Sequence, residues 1–310
     1  MEKRFKIPTA ERKIILLITS AAILILLGIV LDLYTEFLWF NSLNLDSVFI
    51  AMLYYRLTLL VVFFTIAFVV LSLNRLILQK ASYEFLGKSY RLSFLVDLSL
   101  ALILAFPFSH TWIQYVYFTN SIDFNLKDPI FGLDVSFYVF KLPFIQTVLL
   151  FFLTLILLAI LVSVAYYAYI FRDIQGLDEF KAKFPKTAYI HVSLLLASIF
   201  ILISVYFYFA RFDLLTSPHG AVMGAGYTDV HVVLPAMGLI AVISLLFAVV
   251  TIYLGYKRNF EAMAVLVIVL VIVTFFSIIV VPAMIQKLKV EPNEIAREEK
   301  YIKYSINFTR

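Results

Sequence analysis

Apolar residues dominate seven stretches of the chain between residues 14 and 285, and each stretch is about twenty residues long. Twenty helical residues rise about 30 Å, which matches the thickness of a bilayer's hydrocarbon core. The runs are continuous rather than alternating, which favours helices over barrel strands. The pattern predicts an all-α membrane protein, a bundle of seven transmembrane helices within residues 1–285, with spans at 14–33, 54–73, 92–108, 145–171, 188–209, 233–254 and 262–285.

The basic residues between the spans predict how the chain is oriented. With the N-terminus in the cytoplasm, the cytoplasmic segments hold fifteen lysines and arginines, whereas the outer loops hold only Lys127, Lys141 and Arg211. Cytoplasmic loops are enriched in positive residues, so we expect a multi-pass cell-membrane protein with a cytoplasmic N-terminus and an extracytoplasmic C-terminus. The first apolar run lacks a small-residue cleavage site, which indicates a retained helix rather than a signal peptide. The net charge of +5 therefore reflects orientation in the bilayer, and no nucleic-acid partner is expected.

Composition narrows the classes of chemistry. Hydrophobic residues make up 63% of the chain and charged residues 15%, a balance typical of a bilayer protein. The chain contains no cysteine, which excludes disulfides, thiol catalysis and cysteine-ligated metals. Phosphate-binding loops, zinc-protease motifs, nucleophile elbows and dinucleotide fingerprints are also missing from the sequence. We therefore expect neither a catalytic residue nor a cofactor, and an enzyme would need an unfamiliar arrangement.

Aromatic residues crowd two of the predicted outer loops, residues 34–50 and 110–144. Such rings favour the headgroup region, so these loops are expected to lie along the outer interface as loops or short helices. An aromatic belt is the simplest explanation, and a lipid or quinone groove is the alternative. The belt residues are Trp39, Phe40, Trp112, Tyr115 and Tyr117.

Asp97 is the clearest charged residue inside a predicted span. A carboxylate near the centre of a transmembrane helix costs about 2.5 to 3.5 kcal/mol, so it usually faces a partner or a water-filled cavity. Asp97 is therefore a candidate intramembrane proton or ion site. Nearer the outer face, an ion pair among Asp32, Glu36 and Arg56 is expected to join the first two helices.

A glycine-rich outer segment, residues 217–231, carries the candidate metal ligands His219, Asp229 and His231. Imidazole and carboxylate groups suit a divalent metal, and Asp229 and His231 could converge on one ion if that stretch is extended. The other interpretation is a tight turn in which the Asp229 carboxylate caps the sixth helix. His110 and the aspartates at positions 123, 128, 134 and 213 share the outer side.

Three sequence blocks carry a resemblance to a known family. They read DPIFGLDVSFYVFKLPF at residues 128–144, GAGYTDVHVVLPA at 224–236, and VEPNEI with YIKYSINFTR within 290–310. In order and placement they resemble uncharacterised protein family 0182, bacterial and archaeal multi-pass membrane proteins. The resemblance implies a seven-helix membrane region followed by a large soluble domain, with this chain matching the membrane region only. The family implies no activity.

The charged tail, residues 286–310, follows the last predicted span and forms an extracytoplasmic tail or the start of a soluble domain. Pro292 and Asn293 can begin a helix, whereas Ile302, Tyr304, Ile306 and Phe308 alternate with polar residues as in a strand. The tail cannot form a core alone, so we expect an extracytoplasmic partner or more of this polypeptide to cover it. All three blocks lie on the predicted outer side, where they are expected to pack together.

Three classes of function fit these features. The first, which the sequence favours, is a membrane anchor or scaffold for an extracytoplasmic domain or assembly. The second is a transporter or channel for ions or small solutes, for which Asp97 and the glycine-rich segment argue and the nearly uncharged interior argues against. The third is a lipid-handling or metal-dependent membrane enzyme, which would require His219, Asp229 and His231 to meet.

Overall fold

A computed structural model describes residues 9–87, 93–172, 174, 176, 179, 183–217 and 223–309, with side chains described for 20, 24 and, within these ranges, 27–307. In the described residues the regular elements are helices, joined by turns and irregular segments, and one isolated antiparallel bridge pairs Lys127 with Asp134. The helices are α1 (Thr9–Ser42), α2 (Asp46–Leu86), α3 (Phe94–Ser109), α4 (Trp112–Thr119), α5 (Leu142–Ile170), α6 (Lys186–Ala210), α7 (Leu234–Tyr256), α8 (Phe260–Phe275), α9 (Val281–Ile285) and α10 (Glu294–Thr309).

Membrane-span length and composition are met by five helical segments among the described residues, and by six if α3 and α4 count as one bent span. The two helices of that pair meet at 61°, just after Pro107 near the end of α3. Each predicted span from 54–73 onward falls on one of these segments. The first predicted span lies in α1, many of whose side chains are outside the described part, so the count of seven remains a prediction.

Residues 1–58 form one compact unit, in which α1 and the beginning of α2 make a helical hairpin. The first aromatic segment, residues 34–50, is mostly helical, because α1 continues to Ser42 and α2 begins at Asp46, and its position at the membrane interface remains a prediction. No glycine or proline interrupts residues 34–42, so nothing in the sequence stops the helix there. The expected ion pair is confirmed between Arg56 and Glu36, at 3.2 Å, and Asp32 is not part of it.

Residues 59–310 form the second unit, whose core lies between α2, α3, α5, α6, α7 and α8. Small residues let the helices approach one another. Ala101 and Ala105 of α3 are fully buried beside Phe63 and Phe151, which lie 4.5 Å apart between ring centroids. Gly255 of α7 lies so close to Ser193 of α6 that a Cβ there would fall 2.1 Å from the serine Oγ. Such close backbone contact is how helices associate in lipid.

Among the described residues of the second unit there are four short π-helical turns, and each one ends two residues before a proline. The turns are Phe137–Lys141, Asp229–Val233, Phe276–Val280 and Gln286–Val290, and the prolines are Pro143, Pro235, Pro282 and Pro292. A proline ring clashes with the carbonyl one turn earlier and cannot donate to it, so a wider turn at that point relieves the conflict. Wide turns of this kind often occur at functional sites.

The tail is a helix rather than a strand. A 3-10 turn at Glu291–Asn293 leads into α10, as the proline and asparagine there indicate, so the strand expected from the alternating pattern is wrong. The alternation also fits a helical pattern, because Tyr301, Tyr304 and Ser305 return to one face at spacings of three and four. Those three residues line a cavity described below.

Candidate functional site

The first block, residues 128–144, is held in a turn by two aspartates. The Asp128 carboxylate accepts hydrogen bonds from the amides of Ile130, Phe131 and Leu133, and from the Tyr138 hydroxyl at 2.7 Å. All of these partners lie within ten residues, so this buried carboxylate organises its own loop. The Asp128 carboxylate is therefore engaged in hydrogen bonds within the protein.

Asp134 supports the same turn from its other end. Its carboxylate accepts from the amides of Phe124 and Ser136, at 3.0 and 2.9 Å. Hydrogen bonding by Ser136, first through its side chain and also through its amide, lowers the pKa of Asp134 to about 2, and the Phe124 amide adds to the effect. Asp134 therefore stays ionised at every physiological pH and fixes the loop geometry.

The second block, residues 224–236, approaches the third through a glycine-rich turn. Gly224 has a φ of +128°, which favours glycine, and its amide donates to the Ser217 carbonyl at 2.8 Å. The Asp229 carboxylate accepts from the Gly226 amide at 3.2 Å, so it closes the preceding turn and does not cap α7 as expected. Thr228 at the same place donates to the Gln286 side chain.

The third block attaches to the second through Glu298 of α10. Both carboxylate oxygens of Glu298 accept from the Tyr227 amide, at 3.0 and 3.1 Å, and the residue is only 2% exposed. A Cβ on Gly226 would lie 3.1 Å from these oxygens, so a larger residue there would push the Glu298 carboxylate back by a few tenths of an ångström. Tyr301, on the next turn of α10, is also buried. The second and third blocks are therefore in contact, and all three blocks line one cavity in the described residues, while their place at the outer membrane face remains a prediction.

Two cavities lie where these blocks meet, with volumes of about 750 and 580 Å³. The larger is lined by Asp213, Asp229 and Glu298 together with apolar side chains, and the smaller by residues of all three blocks. All four π turns contribute to the walls, through Tyr138, Asp229, Val233, Ile278, Ile279 and Gln286. The geometry is concave, part apolar and part acidic, which suits an inserted neutral or cationic group.

Asp213 borders both cavities and follows α6 in a 3-10 turn. Its carboxylate accepts from the Gln146 side chain of α5 at 2.9 Å. No lysine or arginine appears in the walls of these two cavities among the described residues. The electrostatic character of the site therefore comes from carboxylates, and an anion would meet repulsion within it.

Asp97, the candidate intramembrane site, lies in the first turn of α3 and is buried against α2. Its carboxylate accepts from Arg75 Nε at 2.5 Å and from the Ser72 hydroxyl at 3.3 Å. Arg75, which the sequence places among the cytoplasmic positive residues, is thus the counter-ion of Asp97. The pair joins α2 to α3, while a role in proton or ion movement remains a prediction.

Sequence reasoning missed a buried polar cluster formed by α2, α5 and α6. His191 contacts the Asn74 side-chain oxygen at 2.8 Å through Nε2 and the Tyr167 hydroxyl at 2.9 Å through Nδ1, and Ser163 donates to the same Asn74 oxygen at 3.1 Å. All four residues are buried. A histidine inside a predicted apolar span was the available signal, because such residues are costly without partners.

The candidate metal ligands are only partly described. His219 lies outside the described residues. Asp229 and His231 stand in a π turn rather than in an extended stretch, so their side chains diverge around the helix axis. Within the described part of the chain, no group of three or more histidine, aspartate or glutamate side chains is arranged to hold a metal ion. His110 contacts the Phe106 carbonyl of its own helix.

Comparison with known proteins shows the family to which the chain is related. The profile of the family described as Uncharacterised protein family (UPF0182) matches residues 13–310. The chain belongs to this family. A UPF0182 protein of Trichodesmium erythraeum is 32% identical over 318 residues, covering 96% of this chain and 34% of the relative. A UPF0182 protein of Pelotomaculum thermopropionicum is 35% identical over 308 residues, covering 90% of this chain and 33% of the relative.

The UPF0182 relatives are much longer than the region compared. The chain spans about a third of the length of these curated relatives, consistent with the N-terminal region of the family. A relative from Moorella thermoacetica is 33% identical over 216 residues, which are 70% of this chain and 24% of the relative. No solved structure matches the chain.

Proposed function

We propose that this UPF0182 region is a seven-helix, multi-pass membrane anchor and scaffold that holds an extracytoplasmic domain or assembly through α10 and the three blocks beneath it. The observation that carries the proposal is the two-sided character of α10. One side is fixed to the rest of the second unit, residues 59–310, by the buried Glu298 and Tyr301. The other presents Ile295, which is 83% exposed, and Ile306. Exposed apolar residues on a docked helix indicate a protein contact.

The length of the relatives supports the same proposal. Because the matched region is about a third of those chains, the family provides polypeptide that could cover α10. A continuation of this polypeptide is our first choice of cover and a separate extracytoplasmic protein the second. The orientation rests on the positive-inside pattern, which places the N-terminus and residues 74–91 in the cytoplasm.

Replacing Ile295 with aspartate should loosen this cover. Burying an isoleucine contributes about 1.5 to 3 kcal/mol of contact free energy. Losing this contact should raise the fraction of molecules with an uncovered α10 roughly tenfold or more. In the intact assembly purified from native membranes, trypsin should then cut faster at Arg297, Lys300 and Lys303. The measurement is the rate at which these cleavage products appear in mass spectra.

Ile122→Asp is the matched control, because Ile122 is 78% exposed in a different segment outside the helices. The control should leave cleavage in α10 unchanged. If Ile295→Asp and the unchanged protein were cut at the same rate, α10 would be uncovered and the scaffold proposal would fail.

A transporter is the second candidate, and the buried polar groups of α2 favour it. Asn74 and Arg75 are adjacent in sequence, and they engage His191 and Asp97 respectively. The hydrogen bonds of Asn74 and Arg75 go to other buried side chains, which joins the helices to one another, and the scaffold is preferred for that reason. Proton or cation flux in proteoliposomes that disappears in His191→Gln, with the fold intact, would support transport instead.

A further inference from the structure

The side chain of Tyr227 gathers positive groups at the surface beside the larger cavity. Lys289 Nζ and the Arg297 guanidinium carbon each lie 5.4 Å from the centre of the Tyr227 ring. The His231 ring lies 4.5 Å from the same ring, between centroids. Tyr227 and His231 lie one turn apart in the helical stretch that leads into α7, whereas Lys289 comes from the π turn after α9 and Arg297 from α10, so the fold brings the two cations to the aromatic pair. We call these four residues the Tyr227 cluster.

The two cations of the Tyr227 cluster have no carboxylate partner in the described part of the chain. The salt bridges described there involve other residues, such as Lys303 with Glu299 in α10. Glu298 directs both oxygens at the Tyr227 amide, and the exposed Glu291 and Glu294 form no salt bridge with Lys289 or Arg297 in the described residues. An aromatic face attracts cations without using their N–H groups, and a lysine ammonium that donates one hydrogen bond to a phenol keeps two further donors.

The phenol of Tyr227 responds to the same charges. A hydrogen bond from Lys289, aided by the charges of Lys289 and Arg297, lowers the pKa of Tyr227 below its usual value. The phenol, lysine and guanidinium thus form a set of donors around a region of positive potential. Phosphate oxygens are the groups that such a donor set binds best, because each charge-assisted hydrogen bond to an anion is strong.

The position of the Tyr227 cluster along the helices indicates where the phosphate comes from. Tyr227 stands two residues before the apolar segment Asp229–Tyr256, and Lys289 lies in the π turn just after the apolar residues of α9. Both positions fall at the end of apolar segments, where lipid phosphates lie. We propose that Tyr227, His231, Lys289 and Arg297 bind the phosphate of an anionic phospholipid headgroup, independently of the scaffold proposal.

Titration of a fluorescent phosphatidylglycerol into the purified protein in mild detergent tests this site. Lys289→Gln combined with Arg297→Gln should raise the dissociation constant about tenfold or more, because two charge-assisted contacts are lost. Tyr227→Phe keeps the ring and removes the phenol, so it should weaken binding less. An unchanged unfolding temperature shows that each variant keeps its fold.

Lys287→Gln combined with Lys300→Gln is the matched control, because it removes the same charge from exposed positions of the same tail. The control should bind phosphatidylglycerol nearly as well as the unchanged protein. Equal weakening in both double variants, or in neither, would overturn the proposal. Inorganic phosphate that binds through Lys289 and Arg297 while phosphatidylglycerol does not would overturn the lipid source as well.

Discussion

Arg75→Gln should destabilise the second unit, residues 59–310, by about 3 to 5 kcal/mol, because it leaves the buried Asp97 carboxylate without its counter-ion. Arg75 and Asp97 are only 16% and 8% exposed in their side chains, so water cannot replace the lost partner. The measurement is the free energy of unfolding in mixed detergent micelles, or the midpoint of thermal unfolding.

The double variant Arg75→Met with Asp97→Leu provides the internal comparison for this pair. Removing both charges together leaves no unpaired buried charge and should restore most of the free energy of unfolding. Arg56→Gln is the external control. Its partner Glu36 is 34% exposed and stays in contact with water, so this substitution should lower the free energy of unfolding by only about 1 kcal/mol or less. If Arg75→Gln were as mild as Arg56→Gln, the Asp97 carboxylate would not depend on Arg75.

Gly255→Ala should destabilise the contact between α6 and α7 by about 1 to 3 kcal/mol, the usual cost of overpacking. The new Cβ would lie 2.1 Å from Ser193 Oγ and 3.2 Å from the Tyr189 carbonyl, and a backbone carbonyl cannot move aside cheaply. Unfolding in detergent, followed by circular dichroism, measures the loss.

Gly238→Ala, in the same helix, is the matched control, because no atom lies within 4 Å of the added Cβ. Alanine there should be neutral or slightly stabilising, since it favours the helix more than glycine does. Gly255→Ala with Ser193→Gly should recover part of the stability. A Gly255→Ala protein as stable as Gly238→Ala would mean that the two helices are farther apart than described.

The helices were predictable because lipid imposes one solution on a long apolar run. The predicted ends of the sixth span, residues 233–254, fall within two residues of α7. Partners across helices were not predictable in the same way, because the pairing of Arg75 with Asp97 depends on the rotation of α2 against α3. His191 illustrates the same limit, since its hydrogen-bond partner Asn74 is 117 positions away.

The candidate site was predictable in outline and not in detail. The three blocks share one predicted side of the membrane, which led to the expectation that they meet. From the sequence, the apolar segments that contain Pro235 and Pro282 are predicted to be unbroken, and only the fold shows that π turns precede these prolines and line the larger cavity. The roles of individual side chains were harder to predict than their location. Asp229 is an example, because a carboxylate before a helix can close the preceding turn as readily as it can cap the helix.

Hydrogen exchange across α10, residues 294–307, tests the scaffold account most directly. In the intact assembly, amide exchange in this helix should be slower than in the 310-residue chain alone, because covering protein suppresses opening of the helix. Exchange in α7 should be the same in both samples, since α7 packs against other helices of the second unit. Equal exchange of α10 in the two samples would show that nothing covers it and would contradict the account.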